Sequence, residues 1–207
     1  MSTTRRVGAL RRTQAAFSII ELMIVLTIIG VLAAYAVPSF NKLIKDNRRA
    51  TVVNELLANV MLARAEAAKR GQPVTLCGNT SGGGLSCTGG GTWDYGWMVF
   101  VDVNGNGAVE NNAVVNGVTY DETAMVLRQY KSDYVSSIQV RSNTSGSTSG
   151  HVVVQSYNQA GTAASLLVCD QRGKTKPREA RVVCVGNNGR AGSQDSKCSD
   201  NTDLVCP

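Results

Sequence analysis

Histidine is nearly missing from this chain: His151 is the only one in 207 residues. That all but excludes zinc sites built on several histidines and leaves a Ser-His-Asp hydrolase no spare base. No Cys-x-x-Cys pair occurs, so neither dithiol redox work nor a zinc ribbon is encoded, and no histidine stands ready to activate a thiol. Aromatic residues are scarce at 5% while glycine reaches 21, a balance that suits short strands and long turns better than a helical bundle. Charged residues are only 17% against 43% hydrophobic, which excludes both a disordered polyelectrolyte and a multi-span membrane protein. The glycine-rich stretches lack the strand, loop and helix order of a phosphate cradle, and there are no long internal repeats. No pair of titratable groups is placed for acid–base or nucleophilic work, so the chain reads as non-enzymatic and without a cofactor. Its length allows one ordinary domain with an appendage, or two small domains.

What is present begins at the N-terminus. The first 16 residues hold Arg5, Arg6, Arg11 and Arg12 and no acid. The formal net charge of +6 depends on them: 21 basic residues less these four leave 17 against 15 acidic, a net of +2. From Phe17 to Phe40 the chain is apolar except for Glu21, about the ~20 residues that cross a bilayer as a helix. A basic head before such a run is an export or insertion signal. Six cysteines, an even number, agree with an oxidising compartment.

Two processing routes fit. A secretory signal peptide would use residues 22–34 as its apolar core and be cut after Ala34-Tyr35-Ala36, before Val37. The other route cuts between Ala16 and Phe17 and keeps the helix. Ala16-Phe17-Ser18-Ile19-Ile20-Glu21 resembles the prepilin-peptidase motif of type IV pilins and type II secretion pseudopilins, with Gly30 and Pro38 where pilins carry helix-loosening residues. Ala16 departs from the family's usual glycine. The resemblance implies N-methylation of Phe17 and an assembly role for Glu21, paired with the new amine of Phe17 on a neighbouring subunit. An unpaired charge at the bilayer centre costs at least ~2.5–3.5 kcal/mol, which is why that carboxylate calls for a partner.

Beyond Pro38, Leu43, Ile44, Val52, Val53, Leu56, Leu57, Val60, Met61 and Ala65 recur at three- and four-residue spacing, and Gly71 and Pro73 end the pattern. The spacing predicts one helix over 17–71, about 80 Å long. Strands are expected at 74–77, 96–102, 124–129, 138–141, 151–157, 165–169 and 181–185. Helix first and strands after predict an α+β fold with one antiparallel sheet laid across the helix.

The segment from Gly96 to Gly107, the Glu122-Thr123…Leu127-Arg128 run, and Leu167–Gly173 with Gly189-Arg190 resemble FimT/FimU minor pilins and GspH-type pseudopilins. This implies a type IV pilin fold: a long N-terminal α-helix packed against an antiparallel β-sheet head with disulfide-tied loops. The expected organisation is a leader at 1–16, a transmembrane or filament-core half-helix at 17–41, an amphipathic half at 42–72 and a head at 73–207. It also implies inner-membrane insertion before assembly and a pilus, cell-surface or periplasmic location after it. The partners implied are a prepilin peptidase, the inner-membrane assembly machinery and other major and minor pilins. A pseudopilin of protein secretion and a DNA receptor for transformation remain the alternatives.

Three local features complete the reading. Cysteine proximity predicts Cys77–Cys87, Cys169–Cys184 and Cys198–Cys206, the middle pair from an antiparallel hairpin register. Asp102, Asn104, Asn106 and Glu110 resemble the start of a calcium loop, but its twelfth position is Ala113 and a tight polar turn explains the residues as well. Arg172, Lys174, Lys176, Arg178, Arg181 and Arg190 stand against Glu179 alone, either as a solvated hairpin tip or as a phosphate-binding patch for duplex DNA. The family's second arginine after Gly-Arg is absent here.

Overall fold

The computed structural model describes residues 18–79, 84–87, 93–133, 137–144, 150–156, 161, 163–170, 180–194 and 198. The chain divides into two compact units between Leu43 and Ile44. One helix, α1 (Ile19–Arg70), contributes to both.

In the first unit the Ser18 carbonyl accepts from the amides of Glu21 and Leu22, opening the helix. Thr27 returns its hydroxyl to the Ile24 carbonyl at 2.7 Å, so its polar group is satisfied within the helix. Pro38 lies inside α1, where it removes one amide donor.

In the second unit α1 buries Val52, Val53, Leu56, Val60, Ala63 and Ala67, a single stripe set by the three- and four-residue spacing. The helix stops at Gly71, whose φ of 69° favours glycine and whose amide reaches the Ala67 carbonyl at 2.9 Å. In the last turn Arg70 bonds Glu66 at 2.6 Å and holds that carboxyl below the usual range.

Ten strands follow among the described residues: β1 (Val74–Gly78), β2 (Gly96–Val101), β3 (Ala113–Val115), β4 (Val118–Tyr120), β5 (Val126–Lys131), β6 (Ile138–Thr144), β7 (His151–Val154), β8 (Ala164–Asp170), β9 (Ala180–Val185) and β10 (Ala191–Gln194). They form not one sheet but two four-stranded antiparallel sheets, ordered β5-β2-β1-β7 and β10-β9-β8-β6, with β3-β4 as a separate hairpin. The helix stripe meets one face of both sheets: Leu76, Trp97, Val99, Val140, Leu166, Val168 and Val183 share its core. The opposite face of the second sheet carries a smaller cluster of Leu167, Cys169, Val182 and Cys198. This two-sided burial explains why β2 and β8 read as continuous apolar runs and not as alternating strands. Arg49 ties the helix to β8 through a buried bond to Asp170 at 3.3 Å and also reaches Asp46 at 3.1 Å.

The disulfides correct part of the sequence expectation. Cys77 and Cys87 are joined, their Cα atoms 5.5 Å apart. Cys184, however, pairs with Cys198 at a Cα separation of 5.6 Å, which replaces both Cys169–Cys184 and Cys198–Cys206. The reason is register. β8 and β9 close with Cys169 opposite Ala180, and Cys184 faces Ser165 four pairs further on. Four strand residues span roughly 13 Å, beyond the ~7 Å that a disulfide bridges. Cys169 is itself disulfide-bonded, while Cys206 lies outside the described residues.

Candidate functional site

Fifteen large apolar side chains between Ile19 and Leu43 are 44–79% exposed. From Ile19 to Phe40 they cover roughly 32 Å at 1.5 Å per residue, close to the ~30 Å of a bilayer's hydrocarbon. With about 1.5–3 kcal/mol for each such side chain fully buried, the surface represents on the order of 20 kcal/mol of unrealised burial. Glu21 interrupts it in the first turn, where a carboxylate faces the positive end of the helix dipole. Among the described residues it has no ion-pair partner. Ala16 and Phe17, the two sides of the expected cut, lie outside the described residues.

The loop after β2 is built around two buried carboxylates. Asp102 accepts from the Thr75 hydroxyl at 2.7 Å, the Gly107 amide at 2.8 Å and the Asn106 amide at 3.1 Å. Asn104 and Asn106 each turn the carboxamide oxygen back to an amide two residues on. Glu110 accepts from the Asn104 side chain at 3.0 Å. These oxygens are directed at donors of the chain, and no cluster of His, Cys, Asp and Glu suited to a metal occurs among the described residues. These bonds hold Asp102, Asn104, Asn106 and Glu110 in a tight polar turn. His151 packs under the loop: a Cβ at Gly107, whose φ is 78°, would lie 2.3 Å from its ring.

Sequence reasoning missed Glu122, which is fully buried at the start of a 3-10 turn (Glu122–Met125). Its carboxylate accepts from the amides of Val103 at 2.9 Å and Glu110 at 3.2 Å, strapping both ends of the loop. Burial pushes its pKa up, the neighbouring Asp102 charge adds to this, and the two amide bonds oppose it. The Glu122-Thr123…Leu127-Arg128 run was the visible trace of this strap.

Of the six basic residues in the expected patch, the structure describes Arg181 and Arg190. Arg172, Lys174, Lys176 and Arg178 lie outside the described residues. Arg181 sits at the start of β9, beside a groove of about 440 Å³ that Asn47, Arg49, Asn54 and Ser193 also line. Arg190 sits in the turn at the other end of the strand, where the Gly186 amide donates to its carbonyl. The two are some 16 Å apart along the chain direction. Sequence order hid one approach near Arg190: the stem of Arg64, on α1, lies 3.5 Å from where a Cβ on Gly189 would stand.

A long, apolar, uncovered helix segment with one acid in its first turn, continued by a helix half buried on an antiparallel head, defines a type IV pilin-like subunit. Comparison with known proteins agrees. The family model described as type II transport protein GspH matches residues 52–189, two thirds of the chain. The model described as the prokaryotic N-terminal methylation motif matches residues 11–37. Two crystal structures of the type IV minor pilin FimU of Pseudomonas aeruginosa (strain PAO1) are similar. The form in space group P65 is 17% identical with a TM-score of 0.45, covering 76% of this chain and 99% of that one. The P21 form is 18% identical with a TM-score of 0.47, covering 78% and 97%. No curated protein sequence matches the chain.

The chain belongs to the GspH family, the minor pilins and pseudopilins of type IV pili and type II secretion. It is a structural subunit, not an enzyme. The methylation motif implies processing by a prepilin peptidase and assembly with other pilins, and the apolar helix is that of an inner-membrane-anchored prepilin.

Proposed function

We infer that the chain is a minor type IV pilin, cut between Ala16 and Phe17 and built into a pilus at its tip or in its initiation complex. There it would support pilus assembly, adhesion and twitching motility. The observation that supports this most is the uncovered apolar surface of residues 19–43, in which Glu21 is the only charge up to Asn41. A membrane covers that surface before assembly and neighbouring helices cover it afterwards. In either setting a lone carboxylate is unfavourable until it meets a cation, and removal of the leader supplies one in the amine of Phe17. The test is deletion with complementation, combined with N-terminal analysis of the mature chain. Loss of pili and twitching with exoprotein secretion intact, and an N-methylated Phe17, is the expected result. Loss of secretion with pili intact would assign the chain to the pseudopilin alternative, which the match to the type II transport protein GspH family favours. A mature N-terminus at Val37 would remove both readings.

A DNA-binding role during uptake has one observation in its favour. Arg49, Arg70, Arg128 and Arg141 are all ion-paired to carboxylates within the chain. Arg64, whose stem approaches Gly189, and Arg190, the next residue in the chain, have no ion pair among the described residues. Two phosphate contacts give a salt slope of about −1.8, so duplex titration at two salt concentrations, with Arg64→Ala and Arg190→Ala, separates this activity from a solvated surface.

A further inference from the structure

Four Asn-Gly pairs occur in the chain: Asn104-Gly105, Asn106-Gly107, Asn116-Gly117 and Asn188-Gly189. Asn-Gly is the dipeptide most open to self-deamidation, because a glycine amide has no side chain to shield it from the preceding carboxamide. Two groups must be free for the reaction, the asparagine carboxamide and the glycine N–H. The fold restrains both at three of the four pairs. Asn104 accepts on its side-chain oxygen from the Asn106 amide at 3.0 Å, Asn106 from Ala108 at 2.8 Å, and Asn188 from Arg190 at 3.0 Å. The partner amides are held as well: Gly105 donates to the Asp102 carbonyl at 3.2 Å, Gly107 to the Asp102 carboxylate at 2.8 Å, and Gly189 to the Gly186 carbonyl at 2.8 Å.

Asn116-Gly117 differs on both counts. The pair forms the two-residue turn between β3 and β4, with φ of 52° and 80°. Both residues are exposed, a Cβ at Gly117 would meet nothing within 4 Å, and among the described residues neither the carboxamide nor the glycine amide has a hydrogen-bond partner. In such a turn the strand residues on either side carry the cross-strand bonds, which leaves the amide between them to solvent.

We propose that Asn116 is a covalent modification site at which the chain deamidates itself. The Gly117 nitrogen loses its proton to solvent base and attacks Cγ of Asn116. A C–N bond forms, the bond from Cγ to the side-chain nitrogen breaks, and that nitrogen leaves as ammonia with the proton. Water then opens the succinimide at either carbonyl, giving aspartate or isoaspartate. Both products place a negative charge on an exposed turn. Isoaspartate also lengthens the backbone of a loop whose geometry admits two residues, so it acts on the Val115–Val118 register and, through it, on Ala113 and Tyr120, which pack on the core.

The test is peptide mapping by mass spectrometry of the full chain in detergent, aged in mildly alkaline buffer, beside the same chain unfolded in denaturant. The unfolded sample measures the intrinsic reactivity of each pair, so the folded-to-unfolded ratio isolates the effect of structure. Asn116 should keep most of its unfolded rate. Asn104, Asn106 and Asn188 should slow by roughly thirtyfold, the factor for opening two ordinary hydrogen bonds. The variant Asn116→Gln, whose longer side chain closes its ring far more slowly, should leave the folded chain almost free of acidic product. Protection of Asn116 as strong as that of the other three, or equal conversion of all four in the folded chain, would overturn the proposal.

Discussion

Replacing Glu122 by alanine removes the only acceptor seen for two amides, those of Val103 and Glu110. Each buried donor left without an acceptor costs about 1–3 kcal/mol, and relief from burying a carboxylate returns part of this, so a net loss of about 3 kcal/mol is expected. Glutamine is the more informative variant. It keeps one acceptor, turns an NH2 toward the second amide, and does not titrate. Because burial raises the Glu122 pKa in the folded chain, the protein holds that proton more tightly than the unfolded chain does. The associated stability is fully present below the ordinary glutamate range and is lost as pH rises through the raised folded value. The stability of wild type relative to Glu122→Gln should therefore improve on acidification and level off above that window. Denaturation followed by tryptophan fluorescence reads this directly, since the only two tryptophans, Trp93 and Trp97, are both buried in the head. A difference independent of pH, or one that shrinks on acidification, would refute the reasoning and show that the two amide bonds outweigh burial.

Glu21→Ala should leave membrane insertion intact while lowering incorporation into filaments; incorporation equal to wild type, measured in sheared filament fractions, would show that the carboxylate has no assembly role. Non-reducing peptide mapping should recover Cys184 joined to Cys198, and Cys198→Ser should lower stability by about 3 kcal/mol, as expected for a loop of this size closed over a separation of 14 residues. Arg49→Ala removes one partner of the buried Asp170 and should cost about 3 kcal/mol in head stability, whereas Arg70→Ala, at an exposed pair, should fall within about 1 kcal/mol of wild type.

What could be read from the residues was whatever short-range periodicity determines. The helix was legible because Val52, Leu56, Val60 and Ala63 repeat at its period and Gly71 stops it, and β2 because Trp97 to Val101 is an unbroken apolar run. β10 was not, since Ala191-Gly192-Ser193-Gln194 has neither alternation nor an apolar residue larger than alanine; pairing with β9 alone makes it a strand. β3 and β4 have three residues each, with Val114 and Val118 exposed, so the Asn116-Gly117 turn between them was the only sign of a hairpin. Two sheets in place of one, the Cys184–Cys198 bond, and the meeting of Arg64 with Gly189 all depend on contacts distant in sequence. A four-residue difference in hairpin register was enough to exchange cysteine partners.

The Cys184–Cys198 bond has a consequence wherever copies of this chain meet. β10 is the last strand of its sheet, it carries no charge or proline to discourage a foreign strand, and its whole length lies between the two bonded cysteines. Strand exchange between identical chains becomes favourable when local concentration is high and a terminal strand can leave one sheet for the equivalent place in another. Here β10 is tethered to β9 at both ends, by the turn before it and by the disulfide after it, so its reach toward a second molecule's sheet is limited to a few residues on either side. Oxidation thereby makes the sheet edge private to its own chain, and reduction would open a route to domain-swapped dimers.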